Sequence, residues 1–204
     1  DQIPLRPIDE DQALTIEALS QCMDLLSTKK DLKAVVIGED ELSLSFIRNL
    51  LCLMIKPESS QEITLLGPSS SRLLEQLYND NPELTCYDIK SLDCSCGKEC
   101  TLLKTIKQPD IIFVLYKDSN LSYRCSDQIK CYYSSINTDL HCPEILCFVS
   151  DGILQKTIRD TQIHFFGNYE ELYSYDRIIK VARTIADLEA AREAVEAHPG
   201  RSEE

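Results

Sequence analysis

From Lys33 onward the chain alternates short β-branched apolar runs with stretches whose apolar residues recur at helical spacing. The first run, Lys33-Ala-Val-Val-Ile-Gly38, predicts a buried strand that ends on glycine. Leu42, Phe46, Ile47, Leu50, Leu51 and Met54 then share one helical face, closed by Pro57. Glu62–Leu66 predicts a second strand running into Gly67-Pro68, after which Ser69, Ser70 or Ser71 is placed to cap a helix carrying Leu73, Leu74, Leu77 and Tyr78. Further strands are expected over Leu84–Ile89, Asp110–Tyr116, Glu144–Val149 and Gln162–Phe166. The intervening helices are expected near Leu102–Ile106, Ser126–Asn137 and Ile153–Ile158. One helix precedes the first strand, over Asp11–Leu26, and a long one closes the chain from Tyr173 to about Ala197.

Strands separated by helices pair in parallel through right-handed crossovers, with helices on both faces. Near-continuous apolar strands fit a sheet covered on both sides. The expected fold is therefore α/β: a three-layer Rossmann-like domain with a mostly parallel sheet of about six strands and a long C-terminal helix. The expected organisation is an N-terminal segment and helix over 1–30, the Rossmann-like domain over 31–188, and a projecting helix end and tail over 189–204. In the last helix Tyr175, Ile178, Ile179, Ala182, Ile185 and Leu188 form an apolar face, followed by a weaker small-residue stripe. A helix of about 25 residues spans roughly 37 Å, so its second half is expected to project. Ala190, Ala194 and Val195 there are the candidate partner-binding residues.

Composition narrows the function. The formal net charge of −13 over 204 residues argues against binding nucleic acid through its phosphates and is more compatible with a basic partner surface, while the projecting helix end is available to a partner or a second copy. The longest apolar run, Leu50–Ile55, is far short of the roughly 18 residues of a membrane helix. Asp1–Glu10 is acidic and holds two prolines, unlike a secretory signal. Cys22, Cys52, Cys131 and Cys147, among ten cysteines, lie in apolar stretches and read as reduced core residues, which places the chain in cytoplasm or nucleus.

In a doubly wound sheet the ligand lies beyond the carboxyl ends of the strands. A dinucleotide site wants G-x-G-x-x-G after the first strand, because backbone must approach the pyrophosphate closely. Here the string is Gly38-Glu39-Asp40-Glu41-Leu42-Ser43, which keeps only the first glycine. Gly38, Glu39, Asp40 and Glu41 are the ligand-loop candidates, for a cationic ligand such as a polyamine or for a basic segment; a solvated first helical turn is the plainer reading. Leu66-Gly67-Pro68-Ser69 carries no acid for a ribose hydroxyl, and no P-loop string occurs. Cys94, Cys96 and Cys100 have a spacing that, with Cys86 or His141, can make four zinc ligands, although C-x-C-x3-C is not a paired knuckle and no metal is expected. His164 reads as a satisfied strand histidine, and no serine lies in a G-x-S-x-G elbow. No catalytic residue and no cofactor is assigned.

Several strings resemble known families. Lys33 to about Ile185, with Pro109-Asp-Ile-Ile-Phe-Val114 and Pro143-Glu-Ile-Leu-Cys-Phe-Val-Ser-Asp151, resembles the TrkA-N or RCK ligand-sensing domains of potassium-channel regulators, which implies nucleotide or metabolite sensing. Asp110–Asp151 is also similar to the first half of lactate/malate dehydrogenases, without the catalytic half. The acidic loop resembles that of the branched polyamine synthases, whose fold is methyltransferase-like. Val181–Leu188 is similar to the lid helix of magnesium-chelatase-type ATPases, with no Walker motif beside it. Leu5-Arg-Pro-Ile-Asp9, Val35-Val-Ile-Gly-Glu-Asp-Glu-Leu42, Asp110-Ile-Ile-Phe-Val-Leu115 and Arg177-Ile-Ile-Lys-Val181 resemble the centromere protein M family; Ser69–Thr105 is an insertion relative to it. That resemblance implies a small-GTPase-like core without a nucleotide site, working in an inner-kinetochore assembly. The expectation is a non-catalytic module acting through protein contacts, with a metabolite-binding regulatory domain or a degenerate methyltransferase- or dehydrogenase-type enzyme as the alternatives.

Overall fold

The computed structural model describes residues 10–29, 31–54, 60–106, 108–136, 142–158 and 160–168. Its strands are β1 (Leu32–Ile37), β2 (Gln61–Gly67), β3 (Asp88–Asp93), β4 (Ile111–Val114), β5 (Glu144–Phe148) and β6 (Ile163–Phe166). They form one sheet in the order β3-β2-β1-β4-β5-β6, and every pairing is parallel. This is the three-layer Rossmann-like arrangement, with its topological switch point between β1 and β4.

Because side chains alternate along a strand, each strand feeds two cores. Ala34, Val36, Ile63, Leu65, Phe113, Leu146 and Phe148 face one layer of helices. That layer is α1 (Glu10–Gln21), α3 (Glu41–Met54) and α4 (Ser70–Asp80), with the short α2 (Met23–Thr28) continuing α1. Phe46 of α3 reaches both central strands and edge, with ring centroids 4.8 Å from Phe113 and 6.1 Å from Phe166. Val35, Ile37, Ile112, Val114, Ile145 and Cys147 face the other layer. It is built by α5 (Glu99–Leu103), α6 (Ser119–Ser135) and α7 (Gly152–Thr157).

The expected helix over Asp11–Leu26 is two helices, broken at the buried Cys22. Glu17 and Gln21 of α1 clip the β6 end of the sheet: Gly167 N–H donates to Glu17 Oε2 at 3.1 Å, and Gln21 Nε2 to the Phe165 carbonyl at 2.9 Å. The third strand lies further along than expected. Leu84 is buried in a 3₁₀ turn over Pro82–Cys86, and the strand starts after it. Helix α5 begins three residues earlier than the apolar pattern suggests, and α6 begins seven earlier, where Asp118 caps it.

All ten cysteines are free, but only Cys22, Cys125 and Cys147 are buried. Cys52 and Cys131, read above as core, are exposed on the outer faces of α3 and α6. His164 is half-exposed rather than buried and pairs with Glu144 at 3.1 Å across β5 and β6. The long terminal helix, with Ala190, Ala194 and Val195, and His141 lie outside the described residues. Among the described residues no helix is long and apolar enough to cross a membrane.

Candidate functional site

The carboxyl ends of the parallel strands converge on one edge of the sheet, where such folds place their ligands. Gly38 leaves β1 there with its N–H bonded to the Leu66 carbonyl at 3.0 Å. A Cβ on Gly38 would lie 2.0 Å from Ser43 Oγ, and a Cβ on Gly67 would lie 2.2 Å from the Gly38 carbonyl oxygen. The two glycines thus let the ends of β1 and β2 and the start of α3 touch. The glycine kept from the dinucleotide string serves packing, and Ser43 fills the place of the third glycine as a small residue with its hydroxyl buried and unbonded.

The three carboxylates that follow Gly38 are each engaged. Asp40 caps α3, accepting from Leu42 N–H at 3.1 Å, and pairs with Lys117 at 3.1 Å across the switch point. Glu41 accepts from Gln76 of α4 at 2.7 Å. The exposed Cys96 thiol points toward Glu39, at 3.9 Å. The same pattern repeats along the edge. Asp118 accepts from the N–H groups of Asn120 and Leu121 at the start of α6, at 2.8 and 3.1 Å. Asp151 does so for Ile153 and Leu154 at the start of α7, also at 2.8 and 3.1 Å.

Helix α4 is the exception that completes the set. Ser69, expected among its capping serines, stands at the N-cap with φ 63° and makes no capping bond. Asp93, from the end of β3, caps it instead, accepting from Ser71 N–H at 3.0 Å and Ser70 Oγ at 2.9 Å. Those donors, the Ser71 N–H first, hold the Asp93 carboxyl below its ordinary range. Four helices that start at this edge, α3, α4, α6 and α7, therefore have backbone N–H groups already taken by an aspartate, groups that at other helix starts can bind a phosphate. Two unit negative charges about 4 Å apart repel by about 4 kcal/mol at an effective dielectric of 20, roughly a thousandfold in affinity.

Beneath the edge, the Tyr116 hydroxyl donates to Glu99 Oε1 at 2.5 Å, with both residues buried. Burial first, and then this bond, push the phenol pKa up. Tyr116→Phe leaves the buried carboxyl of Glu99 without that donor, so the expected cost is about 1–3 kcal/mol. Replacing both residues, as Tyr116→Phe with Glu99→Leu, is expected to recover most of it; denaturant titration of the variants checks this.

The cysteine loop lies beside this pair. Burial pushes the Cys94 thiol up to about 11, with Glu99 the next cause, and Cys96 and Cys100 are raised as well, again chiefly by burial. A raised thiol stays protonated near neutrality, the reverse of what a nucleophile needs. Among the described residues no group of three or more His, Cys, Asp or Glu is arranged to hold a metal ion. Between this loop and the end of β2 lies an open cleft of about 520 Å³, lined among others by Pro68, Ser69, Lys98, Thr101 and Leu102. Neither a family model nor a curated protein matches the chain.

Proposed function

We propose that the chain is a non-catalytic Rossmann-like module that acts through protein–protein contacts in a larger assembly. The observation that carries this reading is the self-capped edge: Asp40, Asp93, Asp118 and Asp151 take up N–H groups at four helix starts and set negative charge where a phosphate would have to approach. The Asp40–Lys117 pair spans the switch point, and Tyr116 fills the space beneath it. The resemblance to the centromere protein M family agrees with this reading and sets it in an inner-kinetochore-like assembly. Ten free thiols and a net charge of −13 suit a reducing cytoplasmic or nuclear setting and a basic partner.

The cleft of about 520 Å³ favours one alternative, a regulatory domain that takes a small metabolite there. A thermal-shift screen with nucleotides, dinucleotides, S-adenosylmethionine and polyamines separates the two. A ligand at about a hundred times its Kd adds about 2.7 kcal/mol, or about 5–10 °C in a domain of this size. The expected result is no shift with any of them. A shift of that size with one class, lost in Lys98→Glu, moves the function to the cleft.

A further inference from the structure

The cleft between the end of β2 and the cysteine loop gathers polar groups that the fold itself does not use. Hydroxyls near it are bonded within the protein: Ser70 Oγ donates to Asp93 Oδ1 at 2.9 Å, Ser71 Oγ lies 3.3 Å from Ser91 Oγ, and Thr105 Oγ1 donates to the Leu102 carbonyl at 2.7 Å. The three hydroxyls that line it, on Ser69, Ser95 and Thr101, have no such partner among the described residues. Ser69 is also held in the left-handed region, a conformation that strains a residue with a Cβ and gathers at ligand sites. Lys98 lines the same cleft and pairs with no carboxylate among the described residues, although Asp93 lines it too. The bonds that Asp93 accepts from Ser70 Oγ and Ser71 N–H both fall on Oδ1. A carboxylate offers about four acceptor positions, so capping α4 leaves this one able to bind more. The cleft therefore holds one positive and one negative group that do not meet, free hydroxyls, and an apolar wall made by Pro68 and Leu102.

We propose that this cleft is a binding site for a free amino acid with an apolar side chain, its carboxylate on Lys98, its ammonium on Asp93 and its side chain against Pro68 and Leu102. A zwitterion satisfies both charges at once, whereas a simple anion is repelled by Asp93 and a simple cation by Lys98. The hydroxyls of Ser69, Ser95 and Thr101 supply hydrogen bonds to the charged groups of the ligand. The cleft, about 520 Å³, falls within the range of small-molecule sites, roughly 300–1,000 Å³. The site goes beyond the reading of the chain as an interaction module, and the two are tested apart because no simple amino acid is in the screen above.

Equilibrium dialysis of the full chain against labelled leucine tests this. The expected result is saturable binding with a Kd of about 1 mM or below. Lys98→Gln is expected to weaken it about tenfold or more. The melting temperature of that variant stays as in the wild type, because Lys98 has no bond to lose. As competitors, N-acetylleucine lacks the ammonium and leucinamide lacks the carboxylate, so each is expected to bind about tenfold more weakly than leucine, or worse. Glycine, without an apolar side chain, is expected to compete poorly as well. Absence of leucine binding, or equal binding by Lys98→Gln and wild type, overturns the site. Competition by N-acetylleucine equal to that of leucine overturns the zwitterion in favour of a simple carboxylate, and equal competition by leucinamide overturns it in favour of a simple cation.

Discussion

Gly67→Ala is expected to destabilise the domain by about 3 kcal/mol or more. Two terms add. Gly67 has φ 154°, inside the region that favours glycine. Its added methyl would also lie 2.2 Å from the Gly38 carbonyl oxygen and 3.1 Å from the carbonyl carbon, both fixed backbone atoms. Neither strand end is free to retreat, because Gly38 N–H is bonded to Leu66 and Cys94 N–H to the Gly67 carbonyl at 3.2 Å. Gly38→Ala supplies the contrast. Its methyl meets Ser43 Oγ at 2.0 Å, but that hydroxyl has no bond to lose, so the expected cost is smaller, about 1–2 kcal/mol. Placing Gly38→Ala in a Ser43→Ala background is expected to relieve most of it, whereas Ser43→Ala does nothing for Gly67→Ala. Urea midpoints of the wild type, the three single variants and the two double variants decide the matter. Equal costs at the two glycines would mean that the strand ends do not touch.

Alkaline pH is the second large effect. Burial raises the thiols of Cys22 and Cys147 to about 12, and raises Cys125 and the phenol of Tyr116 too. In the unfolded chain a thiol loses its proton near pH 8.5 and a phenol near pH 10. Below about pH 8.5 both states are protonated and the stability is complete. Above it the unfolded chain releases protons that the folded chain retains, so stability falls as pH rises toward the folded values. Each pH unit in that window removes up to about 1.4 kcal/mol per protected group. Three buried thiols over about 2.5 pH units therefore remove up to about 10 kcal/mol, comparable with the ordinary stability of a domain, about 5–15 kcal/mol. Urea midpoints under reductant from pH 8 to 11 are expected to drop steeply, and a Cys125→Ala, Cys147→Ala variant to drop less steeply. A flat profile would contradict the burial of these residues.

The parts of the fold that were legible in the sequence are those whose environment is uniform along the chain. β1, β4 and β5 are apolar at nearly every position because helices cover both faces, so a continuous run was enough. β3 is an edge strand with one residue, Ile89, fully buried, and the nearby apolar pattern belonged to a 3₁₀ turn around Leu84. The start of α6 was hidden because its first turns bury Ser122 and Cys125 rather than large apolar groups. At the site, local caps were readable in principle. Asp118 and Asp151 stand directly before their helices, in the same relation as Asp40 to α3. Asp93 was not readable, since it caps a helix that starts 23 residues earlier through strand pairing alone. The cysteines misled for a related reason: Cys52 and Cys131 belong to helices with apolar faces, and a residue's place around a helix is not given by the hydrophobicity of its neighbours.

The clip between α1 and β6 bears on how the protein is made. Glu17 and Gly167 are 150 residues apart in sequence, and Gln21 and Phe165 are 144 apart. A ribosome adding about 5–20 residues each second completes α1 many seconds before its hydrogen-bonding partners exist. During that interval the apolar side of α1, with Leu14, Ala18 and Leu19, lacks the edge of the sheet it will cover. Among the described strands, β6 emerges after the others and brings α1 its partners. A chain truncated before Ile163, which lacks β6 and Gly167, is expected to be cut by protease at α1, while the full chain is resistant.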